Sequence, residues 1–377
     1  MDLSIQFCAD LKSILPRGHV WPICTSLRSL HISGCDKLRT LPRALRNLHC
    51  LEGIKVQACR NLSSFPSIKG IASSLQRLCL DCSDEDLPPG LQSCVSLQNL
   101  FICNWPYLRS ILDLRNLHSL THLQIDRCPN LISIPDPKKL PSLLTRLRIS
   151  ECSKLKSIPD LKELPSLTRL EIMQCSNLIS IPVLKELSSL TLLRISSCPN
   201  LISISDMREL PSLTHLEISH CQKLRCVPDG LDFLTRLKCL RIGGFCEELN
   251  SFPSLNFIQC SHAPLEELYL YGWASLNSLP EEIQSFTAVK ILDISGFDEM
   301  DSLPDWLGNL SSIQELCIHD CENMMYLPTT QAMRRLIKLE ELSIDGCPKL
   351  RDRCAEGRGA EWSKIAHIPK FSSNVRS

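Results

Sequence analysis

Apolar residues recur along this chain in one nine-residue pattern: Leu, two residues, Leu, one residue, Ile or Leu, two residues, then usually Cys. Clear copies are LRSLHISGC at 27–35, LTRLEIMQC at 167–175 and LEELSIDGC at 339–347. In LTRLEIMQC, Leu170 and Ile172 alternate with Arg169, Glu171 and Met173, which is the two-residue period of a strand with one buried face. Each copy therefore predicts a short β-strand.

The copies follow one another at intervals of 22 to 28 residues. Their first apolar residues are Leu27, Leu51, Leu75, Leu97, Leu120, Leu144, Leu167, Leu190, Leu213, Leu237, Leu265, Val289, Ile313 and Leu339. A fixed period in the low twenties with this pattern is the signature of a leucine-rich repeat. We predict an α/β fold, a leucine-rich repeat solenoid of about 14 repeats plus one truncated N-terminal repeat. A curved parallel β-sheet should form its concave face, and irregular, 3₁₀ or short helical segments its convex face.

Proline returns at a similar point after most strands, as at Pro42, Pro135 and Pro280. Because proline lacks the amide N–H that extends a hydrogen-bonded ladder, it ends regular structure there. The return segments should be irregular or short 3₁₀ segments, with room for one helical turn in PEEIQSF and PDWLGNL. The longest repeat begins at Leu237, and we expect an excursion over residues 246–264.

The 22 cysteines first suggest a disulfide-rich secreted protein, but ten of them occupy one repeat position. These ten are Cys8, Cys35, Cys59, Cys128, Cys152, Cys175, Cys198, Cys221, Cys321 and Cys347. In four other copies the position holds Trp105, Phe245, Trp273 or Phe297. A position that accepts Cys or a large aromatic side chain is a packing position, so we expect free thiols there. Many unpaired thiols suit a reducing compartment, which predicts a cytoplasmic protein.

Composition and scattered motifs argue against several function classes. The 41 basic residues balance the 41 acidic ones, which supports neither nucleic-acid binding nor a polybasic membrane contact. No apolar run is long enough for a membrane span. Cys79 and Cys82 form an isolated C-x-x-C, Cys321 beside Cys317 is a packing position, and histidines such as His319 are scattered over different repeats. We therefore predict no enzyme, no catalytic residue, no metal and no cofactor.

The outward strand positions carry a charge pattern. The middle position alternates in sign through Arg148, Glu171, Arg194, Glu217 and Arg241. Neighbours one strand apart can pair, each pair contributing roughly 0.2–1 kcal/mol. One interpretation is a self-neutralising ladder that helps to set the register. The other is a polar recognition strip, and the two are compatible.

The outward position two residues before the middle one is mostly basic in the early repeats and mostly acidic in the late repeats. Residues such as Arg77 and Arg146 give way to Glu267, Glu315 and Glu341. Such a gradient can orient a charged partner and speed encounter. We predict an acidic protein partner, with tyrosines as an aromatic anchor and Trp273 as a weaker third member because it lies at the packing position. The predicted partner-binding residues are Arg77, Arg146, Arg148, Arg169, Arg194, Arg241, Tyr269 and Tyr271.

The tail CPKLRDRCAEGRGAEWSKIAHIP at 347–369 resembles the C-terminus of plant intracellular nucleotide-binding leucine-rich repeat immune receptors of the coiled-coil class. The matching positions are Cys347, Pro348, Arg353, Cys354, Gly357, Gly359, Trp362, Lys364, Ile365, His367, Ile368 and Pro369. The Cys-bearing repeats resemble the same family. The family's G-x-x-x-x-G-K-[ST] phosphate loop is absent from this sequence, so nucleotide binding is not carried over.

The resemblance implies a recognition and autoinhibitory region that binds a pathogen effector, a guarded host protein or the receptor's own nucleotide-binding module. The alternative is a free-standing cytosolic adaptor or inhibitor, and a cysteine-based ligase using Cys354 is a remote third reading. We expect a truncated first repeat and linker at 1–26, repeats at 27–347 and a capping tail at 348–377. Because the pattern starts inside a repeat, we expect the chain to be a C-terminal piece of a longer protein or a truncated gene product.

Overall fold

The computed structural model describes residues 1–14, 26–82, 86–255 and 265–374. The predicted linker after the first repeat and the second half of the predicted excursion lie outside the described residues. The chain divides into two compact units, Met1–Leu190 and Thr191–Ser377. We describe each unit by itself.

The first unit is built on eight strands of five residues each, all parallel to their neighbours. They are β1 (Asp2–Gln6), β2 (Ser29–Ser33), β3 (Gly53–Gln57), β4 (Arg77–Asp81), β5 (Asn99–Cys103), β6 (His122–Asp126), β7 (Arg146–Ser150) and β8 (Arg169–Met173). Consecutive strands pair over all five residues except at β3 and β4, where three residues pair. The two-residue strand β9 (Ser180–Ile181) lies in a return segment.

The second unit repeats this arrangement with eight further parallel five-residue strands. They are β10 (Leu192–Ser196), β12 (His215–Ser219), β13 (Cys239–Gly243), β14 (Glu267–Tyr271), β15 (Ile291–Ser295), β16 (Glu315–His319), β17 (Glu341–Asp345) and β18 (Lys370–Asn374). Each strand pairs with the next over all five residues. The two-residue strand β11 (Ser203–Ile204) lies in a return segment.

The strand alternation explains the core. In β8, Leu170 and Ile172 are fully buried while Arg169 is exposed, and the same alternation holds in β15 for Leu292 and Ile294. Stacking these apolar positions from one strand to the next gives a continuous core that no single strand could form. The predicted leucine-rich repeat solenoid is confirmed, with all fourteen predicted strands present from β2 to β17.

The return segments are short, as the proline pattern predicts. The 3₁₀ helices are Arg43–Asn47, Lys69–Ile71, Leu91–Ser93, Pro137–Lys139, Leu231–Phe233, Glu281–Ser285 and Asp305–Asn309. The last two begin directly after Pro280 and Pro304 and fall within PEEIQSF and PDWLGNL, so the predicted helical turns are confirmed. The α-helices among the described residues are α1 (Thr330–Arg335), α2 (Pro348–Arg353) and α3 (Trp362–Ile365).

The cysteines at the repeated position pack in the core, and several also donate a hydrogen bond. Among the described residues every cysteine is a free thiol, and nine of the ten predicted packing cysteines are buried, Cys8 being exposed. Several donate the S–H to the carbonyl two residues earlier, as Cys152 does to Ser150 at 3.3 Å. The residue between them often has a positive φ, such as Glu151 at 52°. The thiol thus satisfies a carbonyl at the point where the chain turns inward from the strand.

One irregularity in the first unit is repaired by a side chain. Where the ladder between β3 and β4 shortens, Asp81 is buried and its Oδ2 accepts from the Ala58 amide at 2.7 Å and from Asn104 Nδ2 at 3.0 Å. At the equivalent point of other repeats a backbone carbonyl accepts, as when the Asn104 amide donates to the Asp126 carbonyl. The carboxylate therefore replaces a missing ladder acceptor.

The tail packs on the last repeat through an additional strand and a buried carboxylate. Strand β18 pairs with β17, a contact that the sequence pattern does not signal. Glu361 is buried and accepts from the Leu327 amide at 2.9 Å and from Lys364 Nζ at 2.6 Å. Ile365 and Ile368 are also buried. The domain boundaries at residues 26 and 347 stay a prediction.

Candidate protein-binding surface

In each unit the first, third and fifth side chains of the five-residue strands form a surface that we refer to as the strand face of that unit. These positions point away from the core because successive side chains of a strand alternate sides. All eight predicted residues lie on it: Arg77, Arg146, Arg148 and Arg169 in the first unit, and Arg194, Arg241, Tyr269 and Tyr271 in the second.

In the first unit the strand face brings two arginines together without a counter-ion. Arg146 and Arg169 are exposed register partners on β7 and β8. Neither forms an ion pair among the described residues, and the same is true of Arg77. His122, the register partner of Arg146 on β6, has a pKa below its ordinary value because it is partly buried and faces both guanidinium groups. The result is local, uncompensated positive charge.

Arg148, next to this pair on the same strand, is compensated. Its Nη1 lies 3.6 Å from Glu171 Oε2, the register partner on β8. The predicted cross-strand pairing is confirmed here, and the half-exposed Arg148 side chain limits its contribution to a fraction of a kcal/mol. The positive charge of this face therefore rests on the first strand position rather than on the alternating middle position.

In the second unit the residues at the middle strand position make closer contacts. Arg194 Nε donates to Glu217 Oε2 at 2.7 Å, so the predicted pairing is confirmed here as well. Glu217 Oε1 also accepts from Ser219 Oγ at 3.1 Å. Arg241 is the register partner of Glu217 on the next strand, but its guanidinium lies 3.8 Å from the ring centroid of Tyr269. This cation–π contact holds Arg241 in place on the surface.

The three residues weighed as an aromatic anchor differ in their exposure. Tyr269 and Tyr271 are half-buried on β14, and burial raises the pKa of Tyr269 to about 12. The Tyr271 ring lies 4.8 Å from that of His220, centroid to centroid. Trp273 does not belong to the surface: it is buried, and its indole donates to the Leu249 carbonyl at 2.8 Å. Trp273 therefore fills the packing position in the core and is not part of a surface anchor.

The second unit also carries a group of side chains that sequence reasoning kept apart. Asp293, Cys317 and His319 meet on the strand face of β15 and β16, with one ligand atom of each within 4.8 Å of the others. In the sequence, His319 is one of several scattered histidines, and Cys317 lies near the packing residue Cys321. Strand register was the missing signal, since Asp293 and Cys317 lie opposite each other, 24 residues apart in the chain.

Cys354, the one candidate nucleophile of the tail, is poorly placed for chemistry. It is fully buried, and burial raises its pKa to about 12. A buried, protonated thiol is a weak nucleophile, because the thiolate is the reactive form. This position therefore gives no support to a thioester-forming ligase.

Comparison with known proteins finds similarity to the leucine-rich repeats of plant disease resistance proteins. Residues 2–153 match the family described as plant disease resistance protein RPS2-like, leucine-rich repeats. The chain is 33% identical over 88 residues to disease resistance protein RPH8A of Arabidopsis thaliana, covering 22% of this chain and 9% of that protein. It is 29% identical over 101 residues to disease resistance protein RPP4 of the same plant, covering 27% of this chain and 8% of that protein. The matches thus span a small part of these much longer relatives.

A solved leucine-rich repeat protein of Leptospira interrogans has the same fold. It superposes with a TM-score of 0.60 at 20% identity, covering 93% of this chain and 80% of that one. No helix in the described part of the chain is long and apolar enough to cross a membrane. The protein is thus a leucine-rich repeat protein, of a class whose domains typically bind other proteins and typically carry no catalytic site.

Proposed function

We propose that this chain is the recognition and autoinhibitory region of a plant intracellular immune receptor of the nucleotide-binding, coiled-coil class, and that it acts in the cytoplasm. Its strand face binds protein: a pathogen effector, a guarded host protein or the receptor's own nucleotide-binding module. The match of residues 2–153 to plant disease resistance repeats and the family-like tail support this proposal. Most of the relatives' length is not matched, so the receptor context is the part to be tested.

The observation that carries a binding role is the arginine pair of Arg146 and Arg169. Arg146 and Arg169 are register partners, and like charges directly opposite each other on a sheet destabilise it. An acidic partner would relieve this repulsion on binding and would be steered toward the surface by it. The strand face of the first unit is therefore best explained as one side of an electrostatic interface.

The alternative is a free-standing cytosolic adaptor or inhibitor with the same surface. The two proposals differ in one property of the gene: a receptor transcript encodes a phosphate loop upstream of Met1. Sequencing the complete transcript decides between them. A full-length transcript without that module would favour the adaptor.

The binding role is tested by charge reversal. In the receptor proposal the nucleotide-binding module is expressed separately and its affinity for this chain is measured by calorimetry. The variant Arg146→Glu with Arg169→Glu should weaken binding at least tenfold, about 1.4 kcal/mol, and flatten the dependence on salt.

The matched control reverses Arg43 and Arg46, two arginines of a 3₁₀ helix in the same unit that lie away from the strand face. The control should bind like the unmodified chain. Equal loss in both variants would assign the effect to net charge alone, and unchanged affinity after reversal of Arg146 and Arg169 would remove this surface from the interface.

A further inference from the structure

Three side chains with metal-binding chemistry converge on the strand face of the second unit. Asp293 is the third residue of β15, and Cys317 and His319 are the third and fifth residues of β16. Asp293 and Cys317 are register partners, while Cys317 and His319 are two residues apart and so share one face. In the part of the chain that the structure describes, no other three His, Cys, Asp or Glu side chains converge this closely.

We propose that Asp293, Cys317 and His319 bind a Zn²⁺ ion. Zinc is borderline-soft and accepts thiolate sulfur, imidazole nitrogen and carboxylate oxygen at about 2.0–2.3 Å, which puts neighbouring tetrahedral ligands about 3.4–3.7 Å apart. His319 Nε2 already lies 3.7 Å from Asp293 Oδ2. The three ligand atoms lie within 4.8 Å of one another, so the proposed site requires them to approach each other by about 1 Å at most.

The contacts at the cluster fit a metal better than a plain ion pair. At 3.7 Å, Asp293 and His319 are too far apart for a hydrogen bond. His319 Nδ1 is buried and has no hydrogen-bond partner among the described residues. Neither ring nitrogen of His319 is therefore hydrogen-bonded to Asp293. A cation between the two side chains would use the gap between them.

The surrounding charges favour a cation. Glu315 Oε1 lies 3.4 Å from Cys317 Sγ and accepts its S–H, and Glu341 is the register partner of Glu315 on β17. Asp345 is the register partner of His319 on β17 and places a further carboxylate residue on this part of the strand face. Arg241, whose positive charge also acts on Asp293, is held on the Tyr269 ring at 3.8 Å.

The strands supply three ligands, so a fourth would come from water or from a side chain of a bound protein. Asp293 and His319 side chains retain 18% and 25% of their exposure, so the site is reached from the sheet surface. Three protein ligands plus one open position is the arrangement of zinc sites that exchange a ligand. The proposal stands independently of the receptor assignment, because it concerns a metal and not a protein partner.

The test uses Co²⁺ as a spectroscopic probe of the zinc site. The whole chain is stripped of metal, kept reduced with a non-thiol reductant and titrated with Co²⁺, then with Zn²⁺. We expect one equivalent of Co²⁺ to give a thiolate-to-cobalt charge-transfer band and tetrahedral d–d bands, and Zn²⁺ to abolish both. Mg²⁺, which prefers oxygen ligands, should leave the bands unchanged.

Single substitutions assign the site. Cys317→Ser should abolish the charge-transfer band, and Asp293→Asn should weaken Co²⁺ binding at least about 100-fold, beyond the usual cost of losing an outer partner. Cys239→Ser is the matched control, since Cys239 is another buried thiol on the strand face of the same unit. It should keep the full spectrum, and circular dichroism checks that each variant is folded.

Two results would overturn the proposal. The first is absence of the charge-transfer band in the unmodified chain. The second is a band that survives Cys317→Ser, which would assign cobalt to other thiols of this cysteine-rich chain. A Zn²⁺-dependent rise in melting temperature that disappears in Asp293→Asn would support it by an independent readout.

Discussion

The two units have cores of the same kind but present different strand faces. In the first unit, Arg146 and Arg169 oppose each other without acidic partners. In the second unit, Arg194 is bound to Glu217 and Arg241 lies on Tyr269. Because the buried positions are mostly Leu and Ile throughout, the outward positions are free to vary without changing the fold. The core and the surface charge are thus encoded at alternate positions of the same strands.

The largest expected effect tests whether the cores are equivalent. Trp105 in the first unit and Phe297 in the second occupy the same packing position, and both are fully buried. Replacing either with Ala should lower the free energy of unfolding by about 3–5 kcal/mol, measured by urea denaturation. Tyr107→Ala, at an exposed neighbour of Trp105, should change it by less than about 0.5 kcal/mol. A severe loss in one unit only would break the equivalence.

The next largest effect on the free energy of unfolding compares Asp81, whose side chain replaces a backbone acceptor of the ladder, with a residue in a regular part of the sheet. Asp81→Ala leaves the Ala58 amide without its acceptor and should cost about 1–3 kcal/mol. Ser219→Ala, at the same strand position in the second unit, removes one hydrogen bond to Glu217 and should cost about 0.5–1.5 kcal/mol. Amide exchange at Ala58 should accelerate only in the Asp81 variant. Unchanged exchange there would mean that Asp81 does not maintain the ladder.

The smallest changes in the free energy of unfolding should have opposite signs on the strand faces of the two units. Arg169→Ala removes a like-charge contact and should raise the free energy of unfolding by about 0.2–0.5 kcal/mol. Glu217→Ala removes the Arg194 pair and should lower it by up to about 1 kcal/mol. Both effects should shrink in high salt, because salt screens surface charges. Effects of the same sign would contradict the contrast drawn between the units.

A pH-dependent effect belongs to the second unit. Burial, with the Tyr271 ring packed alongside, lowers the pKa of His220 below its ordinary value of about 6.5. The folded state therefore binds the proton less readily than the unfolded state. This contribution to stability is complete above about pH 6.5 and is lost as the pH falls from there toward the folded-state pKa.

Replacing His220 by Asn should flatten that part of the pH profile. Asn tolerates the left-handed backbone that His220 adopts, with φ at 53°, so the turn is preserved. Chemical denaturation at a series of pH values measures the slope. A slope that is the same in the unmodified chain and in the variant would assign the dependence to other groups.

The core and repeats of this protein were predictable from sequence because they depend on local alternation and a fixed period. Both signals together predict the fourteen strands, the short return segments between them and the buried cysteines. Trp273 was weighed as a surface anchor although it lies at the packing position, and its burial shows that the repeat position decides.

The candidate sites were less predictable because they depend on which residues lie opposite one another. The opposition of Arg146 and Arg169 could be read from equal strand positions. In the cluster of Asp293, Cys317 and His319, the first two residues lie opposite each other on neighbouring strands, and the last two lie on the same side of one strand. The three residues are of different types, so no repeated residue marks the cluster in the sequence. The carboxylate of Asp81 and the strand β18 arise from local departures from the repeat. A periodic pattern carries no information about such departures.

The strand face of the first unit carries uncompensated positive charge at Arg146 and Arg169, and the pKa of His122 reports this charge directly. An NMR titration of its ring in the unmodified chain should give a pKa below about 6.5, since burial and the guanidinium groups of Arg146 and Arg169 all act in that direction. In Arg146→Glu the pKa should rise, with burial still holding it down in part. A His122 pKa that does not respond to this reversal would contradict the account.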